Sequence, residues 1–151
     1  MSAKDNSIIR VTEVPLTKHY CFMYETFIVA SQNTLYLLLS KDGDTLDALK
    51  FRFKVYKCGY PNDEISHPLS RYGLGFYGLF MVENSPWLEE IKNHNLQHPR
   101  HSDDLFESYK HYVARFKDIT VEVLSKKMEE IQLTRSELKV FVYEQLSYLE
   151  E

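Results

Sequence analysis

The stretch KHYVARFKDITVEVL, Lys110 to Leu124, decides how the rest of the chain is read. With Lys117-Asp118 at the turn, Tyr112, Ala114 and Phe116 oppose Val123, Val121 and Ile119, so one face of the segment is wholly apolar. The other face pairs His111 with Leu124, Val113 with Glu122 and Arg115 with Thr120, and sets Arg115 diagonal to Glu122. A period of two on both sides of a short polar break predicts an antiparallel hairpin, because side chains alternate across a strand and opposite residues stabilise each other in pairs.

The same reading extends outward in both directions. Ser7 to Val14 is expected as a strand ended by Pro15, which cannot donate into a ladder. His19 to Ala30 is nearly continuous in aromatic and β-branched residues, and Gln32-Asn33 supplies a turn into Thr34 to Leu39. After the turn signal KDGD, Leu49, Phe51, Phe53 and Val55 alternate with Lys50, Arg52, Lys54 and Tyr56, the pattern of a half-buried strand. GYPNDEISHPLS reads as an exposed loop of a length that often carries function, and Leu79 to Val82 as another strand. Ser85-Pro86 opens a helix expected to reach about His94, with Ser as the cap and Pro where its missing N–H does no harm.

Thr134-x-x-Glu137 is a capping box, with Leu133 placed to staple onto Leu138. Behind it Leu138, Phe141, Val142, Gln145 and Leu149 mark a stripe, with Leu146 beside it, that should lie on the sheet. No strand–helix–strand unit recurs. The expected fold is therefore α+β: residues 1–151 as one domain, with a mainly antiparallel sheet of about six or seven strands and two helices packed on it.

RYGLGFYG, Arg71 to Gly78, has the spacing G-x-G-x-x-G, but the LFMVE that follows is a strand. A dinucleotide site needs a helix there, because the pyrophosphate rests on that helix's free N–H groups. Gly73, Gly75 and Gly78 are better explained by bends, or by a neighbouring ring lying flat on the backbone.

Eighteen Lys and Arg against twenty-two Asp and Glu give a net charge of −4, a balance that argues against nucleic acid as the partner, since phosphate neutralisation dominates such affinity. Eleven Tyr and nine Phe against one Trp favour strands and leave amphipathic rings for a contact surface. Cys21 and Cys58 form no C-x-x-C pair and are expected as buried thiols in a reducing compartment. MSAKDNS lacks a secretory pattern, and Leu35 to Leu39 is too short to span a bilayer. A soluble cytoplasmic protein, without membrane contact and without a cofactor, is the expectation.

Four polar constellations compete for function. Acidic turns beside tyrosine, comprising Asp42, Asp44, Asp47, Tyr60, Asp63 and Glu64, suit steering toward a basic protein and anchoring on it. His98, His101, His111 and Asp118 are the candidates for a metal-dependent hydrolase, although Pro99 breaks the helix that would align the first two imidazoles. His111 has Glu122 on its own face of the hairpin, an arrangement that more often serves structure than acid–base chemistry. Lys50, Arg52 and Lys54, continued by Lys57 past Tyr56, form a basic ridge able to track a single-stranded backbone; the plainer origin is an outer strand kept from aggregating by charge.

Trp87, His98-Pro99, Lys110-His111-Tyr112 and Phe116, Asp118, Thr120 and Glu122 together resemble a group of small bacterial proteins of unassigned function. That group has a Trp-led helix, a His-Pro, and a strand and turn of the form Phe-His-Asp-x-Thr-x-Glu. Lys117 stands where the group has His, which disfavours a His-Asp catalytic pair at the turn. The resemblance spans about Leu74 to Leu124. The build is also similar to toxin-immunity proteins, small acidic α+β domains, an architectural analogy only. The leading expectation is a non-enzymatic inhibitor of a basic toxin domain; the alternatives are the metal-dependent hydrolase and a homo-oligomeric structural module.

Overall fold

Two strands, β6 (Lys110–Arg115) and β7 (Thr120–Thr134), pair in the register that the alternation predicts, with His111 opposite Leu124, Val113 opposite Glu122 and Arg115 opposite Thr120. They lie at the centre of a seven-stranded antiparallel sheet in a computed structural model that describes residues 8–23 and 26–149. The other strands are β1 (Arg10–Glu13), β2 (Phe27–Ala30), β3 (Thr34–Asp42), β4 (Thr45–Gly59) and β5 (Gly78–Glu83), in the order β1-β5-β6-β7-β4-β3-β2. Helices α1 (Pro86–Asn95) and α3 (Arg135–Ser147), with the single turn α2 (Asp104–Glu107), complete the α+β fold. Ser7 and residues 24–25, which the sequence places in strands, lie outside the described residues.

Period-two alternation sorts the sheet into two faces. Leu35, Leu37, Leu49, Phe51, Leu79, Tyr112, Ala114, Val121 and Val123 bury together on one face. Tyr20 and Phe22 cover them from the first part of the stretch that the sequence reads as a strand from His19 to Ala30; its last four residues form β2, whereas residues 19–23 join no ladder. These aromatic residues are there to cap the core. Glu130 holds the segment by accepting from Thr17 N–H at 2.8 Å, the Thr17 hydroxyl at 2.6 Å and the Tyr20 hydroxyl at 2.8 Å.

The opposite face is divided. Near β5 and β6, Phe80, Val82 and Val113 pack with Val11, Leu69 and Leu74. Near β3 and β4, Leu38, Leu46, Ala48 and Leu133 pack with Leu138. The capping box forms as expected, the Thr134 hydroxyl accepting from Glu137 N–H at 3.1 Å while the Glu137 carboxylate accepts from Thr134 N–H at 3.0 Å. Beyond that start α3 meets the sheet mainly through Leu138 and the Phe141 ring, which stands edge-on to Tyr36 at 5.0 Å. Val142, Leu146 and Leu149 of the expected stripe are exposed.

Strand β7 runs ten residues past the predicted end at Leu124, and its ladder with β4 shifts register on both sides of Phe53. At this irregularity the Ser125 hydroxyl donates to the Arg52 carbonyl at 2.8 Å and accepts from Lys127 N–H, so the polar groups freed from the ladder are satisfied. Gly75 has no room for a methyl group: a Cβ there would stand 2.9 Å from the Phe80 ring, which lies against the backbone as the sequence suggests. Cys21 and Cys58 are exposed rather than buried, the first in the unpaired covering segment and the second near the end of β4. Among the described residues no helix is long and apolar enough to cross a membrane.

Candidate functional site

The loop between β4 and β5, read from sequence as exposed and of a length that often carries function, is tied down on its inner side by buried polar groups. His111, Val113 and Arg115 of β6 and Thr120, Glu122 and Leu124 of β7 share one face by alternation, and the loop lies over it. Glu122, 7% exposed, accepts from His111 Nε2–H at 2.8 Å on one carboxylate oxygen and from His67 Nε2–H at 3.1 Å on the other. Each imidazole is fixed from behind. Leu69 N–H donates to His67 Nδ1 at 2.9 Å, and the Ser85 hydroxyl donates to His111 Nδ1 at 2.7 Å. These partners dictate neutral rings carrying their proton on Nε2, the tautomer that serves Glu122.

Ser85 does two jobs. Its oxygen accepts from Leu88 N–H at 3.1 Å as the cap of α1, leaving its proton for His111. Asn84, with φ 56°, turns the chain into that cap and donates its amide to the Ile8 carbonyl at 2.7 Å. Trp87, in the first turn of α1, sets its ring 5.2 Å from the His111 ring at 71°. Lys57 lies 4.2 Å from the Trp87 ring centroid and 3.9 Å from Glu122.

Burial alone would raise the Glu122 carboxyl, but the hydrogen bonds it accepts from His111 and His67, with the Lys57 ammonium behind them, outweigh it and hold the group well below its ordinary range. Burial likewise dominates at His111 and keeps its pKa below the usual histidine value, against the opposing pull of Glu122. Both directions agree with an ionised Glu122 carboxylate beside a neutral His111 ring.

Beside this group Arg115, 2% exposed, donates from Nη1 to the Gly75 carbonyl at 3.3 Å and from Nη2 to the Asn62 carbonyl at 3.1 Å. One guanidinium thereby joins both limbs of the loop, and among the described residues its Nε has no partner. The Thr120 hydroxyl donates to the Pro61 carbonyl, Asp63 N–H donates to the Lys117 carbonyl at 3.1 Å, and the Tyr77 hydroxyl donates to Asp63 at 2.7 Å. The loop is therefore rigid on its inner side while presenting Tyr60 (78% exposed), Phe76 (68%) and Ile65 (53%) outward, with Glu64 also exposed.

The Ser85–His111–Glu122 chain has the residue types of a hydrolytic triad but not the access. One lone pair of the serine oxygen is taken by the helix cap, Trp87 stands against the imidazole, and Ser85, His111 and Glu122 are all buried. A nucleophile needs an open approach and donors aimed at a developing oxyanion. What the arrangement does chemically is fix tautomers and hold a loop.

The acidic and tyrosine residues expected to bind a partner do not form one patch. Asp42 and Asp44 are exposed in the turn where Gly43, at φ 61°, reverses the chain between β3 and β4. Tyr60, Asp63 and Glu64 lie past the opposite end of β4, a strand of 15 residues, hence roughly 45 Å away. Asp47 faces inward, 8% exposed, accepting from Lys18 at 3.0 Å, Ser40 at 2.8 Å and Gln132 at 3.0 Å. Burial would raise its carboxyl, yet these donors bring it below the ordinary value. Its place is structural.

The histidines expected to share a metal also lie apart. His98 and His101 sit in the stretch after α1, where His101 bonds Asn95 at 2.8 Å and Asp103 at 3.0 Å; His111 is in the anchor, and Asp118 is exposed in the β6–β7 turn at the other end of the hairpin. Among the described residues no group of three or more His, Cys, Asp or Glu is placed to hold a metal ion.

Sequence reasoning found the His111–Glu122 pair, and it read Ser85 as a cap without its imidazole partner. It missed His67. The available signal was the carboxylate itself, which has two oxygens to satisfy on a covered face while the hairpin supplies one donor. Trp87, His111, Thr120 and Glu122 all belong to this anchor. The chain matches no protein-family model, no curated protein and no solved structure.

Proposed function

We propose that this protein is a non-enzymatic binding module of the immunity type, which occludes a basic toxin domain through the loop between β4 and β5. The observation that carries the reading is a loop held on its inner side by Glu122, Arg115 and Thr120 while its outward side presents Tyr60, Ile65, Phe76 and Glu64. Large apolar and aromatic side chains on a preformed support are what an interface uses as anchors, since little ordering entropy remains to be lost on binding. Asp63 and Glu64 add the negative charge that steers a basic partner, and Asp42 and Asp44 supply more at the far end of the sheet.

The test is capture from the native lysate with wild type and with a Tyr60→Ala/Phe76→Ala variant, followed by association kinetics on the captured protein. The reading expects a basic protein that the variant no longer retains. It also expects slower, less salt-sensitive association when Asp63 and Glu64 are reversed to Lys. A protein held equally by wild type and variant removes the loop from the interface.

The oligomeric alternative rests on one observation, the exposure of Val142, Tyr143 and Leu146 along α3 and of Leu149 just past its end. Sizing wild type against Leu146→Glu at several concentrations decides it: a second copy on that face gives a larger species that the variant loses.

A further inference from the structure

Strand β4 is the fifth of seven, flanked by β7 and β3, so the lysines and arginine along it do not defend a free edge. Lys50 and Arg52 instead form the floor of a groove of about 530 Å³, completed by Phe53, Tyr109, Lys126, Lys127, Glu129 and Asn33. Two features of the fold create it. The divided face leaves Lys50 and Arg52 outside both apolar clusters, between the part packed against α3 and the part packed against Leu69 and Leu74. The register shift at Ser125 brings Lys126 and Lys127 into the same groove.

The charge there opposes the sign of the whole chain. Of the four cations, Lys127 pairs with Glu129 at 3.0 Å, and among the described residues Lys50, Arg52 and Lys126 have no carboxylate in an ion pair. Lys50 stands opposite Glu129 in the ladder, and with Arg52 it contributes to holding that carboxyl below its ordinary value, behind the hydrogen bond and charge of Lys127. Even this acid is thus surrounded by cations. Two rings complete the lining: Tyr109, with Lys126 5.6 Å from its centroid, and the half-buried Phe53.

We propose that this groove binds single-stranded nucleic acid, the cations tracking successive phosphates and the Tyr109 ring receiving a base. Lys50 and Arg52 are two residues apart on one strand, roughly 7 Å, and Lys126 and Lys127 continue the charge on the next strand. A line of cations suits a polyanion better than a single anion. An aromatic ring beside it gives a base of any sequence a surface to stack on. The net charge of −4 weakens long-range attraction but not the local field, because exposed charges beyond about 8 Å are largely screened in physiological salt.

Fluorescence anisotropy with a labelled oligothymidylate of roughly 12 nucleotides tests the proposal, with adenosine monophosphate and polyglutamate as competitors. Three unpaired cations predict a slope of log affinity against log salt near −2, a loss of roughly 16-fold between about 50 and 200 mM. The Lys50→Ala/Arg52→Ala/Lys126→Ala variant, its fold checked by circular dichroism, should flatten that slope, and Tyr109→Ala should weaken binding by at least about fivefold at fixed salt. The proposal is overturned if wild type does not bind at about 50 mM salt, if the charge variant keeps the wild-type slope, or if either competitor displaces the strand at matched phosphate or carboxylate concentration.

Discussion

Replacing Glu122 by Gln tests the central structural argument, because it keeps the side-chain shape and removes only the charge and one acceptor. In the native anchor each carboxylate oxygen receives an imidazole N–H, and neither ring can turn its proton round without stranding the group behind it: Leu69 N–H at His67, the Ser85 hydroxyl at His111. A glutamine offers one acceptor and one donor to two donors. Two hydrogen bonds to a charged acceptor, each about 1.5–3 kcal/mol, become one neutral bond of about 0.5–1.5 kcal/mol and one buried N–H facing an amide N–H. The expected loss is about 2–5 kcal/mol, a large share of the roughly 5–15 kcal/mol that holds a typical domain. Urea unfolding followed by circular dichroism should show the midpoint falling by about 1 M or more, given an m value of roughly 1–3 kcal/mol/M. Hydrogen exchange should locate the damage, with the Leu69 amide losing protection before β6 and β7. A midpoint within about 0.5 M of wild type and an unchanged Leu69 amide would refute the view that this carboxylate holds the loop.

Acidification should act on the same group. Glu122 and His111 both have folded pKa values below their unfolded ones, so the unfolded chain binds more protons and stability falls with pH: the His111 part below about 6.5, the Glu122 part below about 4.5. Urea midpoints should therefore fall more steeply in wild type than in Glu122→Gln only below about pH 4.5, whereas between neutrality and that point the variant, whose His111 has lost the opposing pull of Glu122, should fall at least as steeply. Asp47→Ala removes the one acceptor shared by Lys18, Ser40 and Gln132, donors that are exposed and can turn to water, and should cost about 1–2 kcal/mol, whereas Asp42→Lys with Asp44→Lys should stay within about 0.5 kcal/mol, both read by urea unfolding. Gly75→Ala should lose about 1–3 kcal/mol in the same assay, because the Phe80 ring has to move, and Phe80→Leu in that background should return part of it.

Features set by neighbours in sequence were legible in it. The hairpin register follows from alternation around Lys117-Asp118, and both helix starts from capping residues whose partners lie within a turn. Features set by distant partners were not. Tyr20 and Phe22 look like strand residues because ring content suits a strand, yet they cap the core; the decisive partner is Glu130, 110 positions from Tyr20. His67 meets Glu122 across 55 positions, from a loop whose prolines and acids suggest nothing buried. The basic ridge was visible residue by residue, but its meaning depended on strand order, which makes β4 an interior strand. Asp47 was grouped with Asp42 and Asp44 by proximity alone, and the pleat sends it to a different environment.

The placement of buried polar groups on one half of one sheet face has a physical cause in the loop that covers it. The loop buries Leu69 and Leu74 but joins no strand ladder, so several of its carbonyls reach the sheet without a backbone partner. An apolar strand face beneath it would bury the Pro61, Asn62 and Gly75 carbonyls without donors, at about 1–3 kcal/mol each. Thr120 and Arg115 supply those donors, and Glu122 captures the loop by its one buried imidazole. Replacing a buried ionic group by apolar residues of similar volume often leaves a protein as stable or more so. Here the same replacement would spare the sheet and release the loop. Polar residues therefore persist on this face because they are the means by which an otherwise unstructured segment acquires one conformation, with Tyr60, Ile65 and Phe76 turned outward.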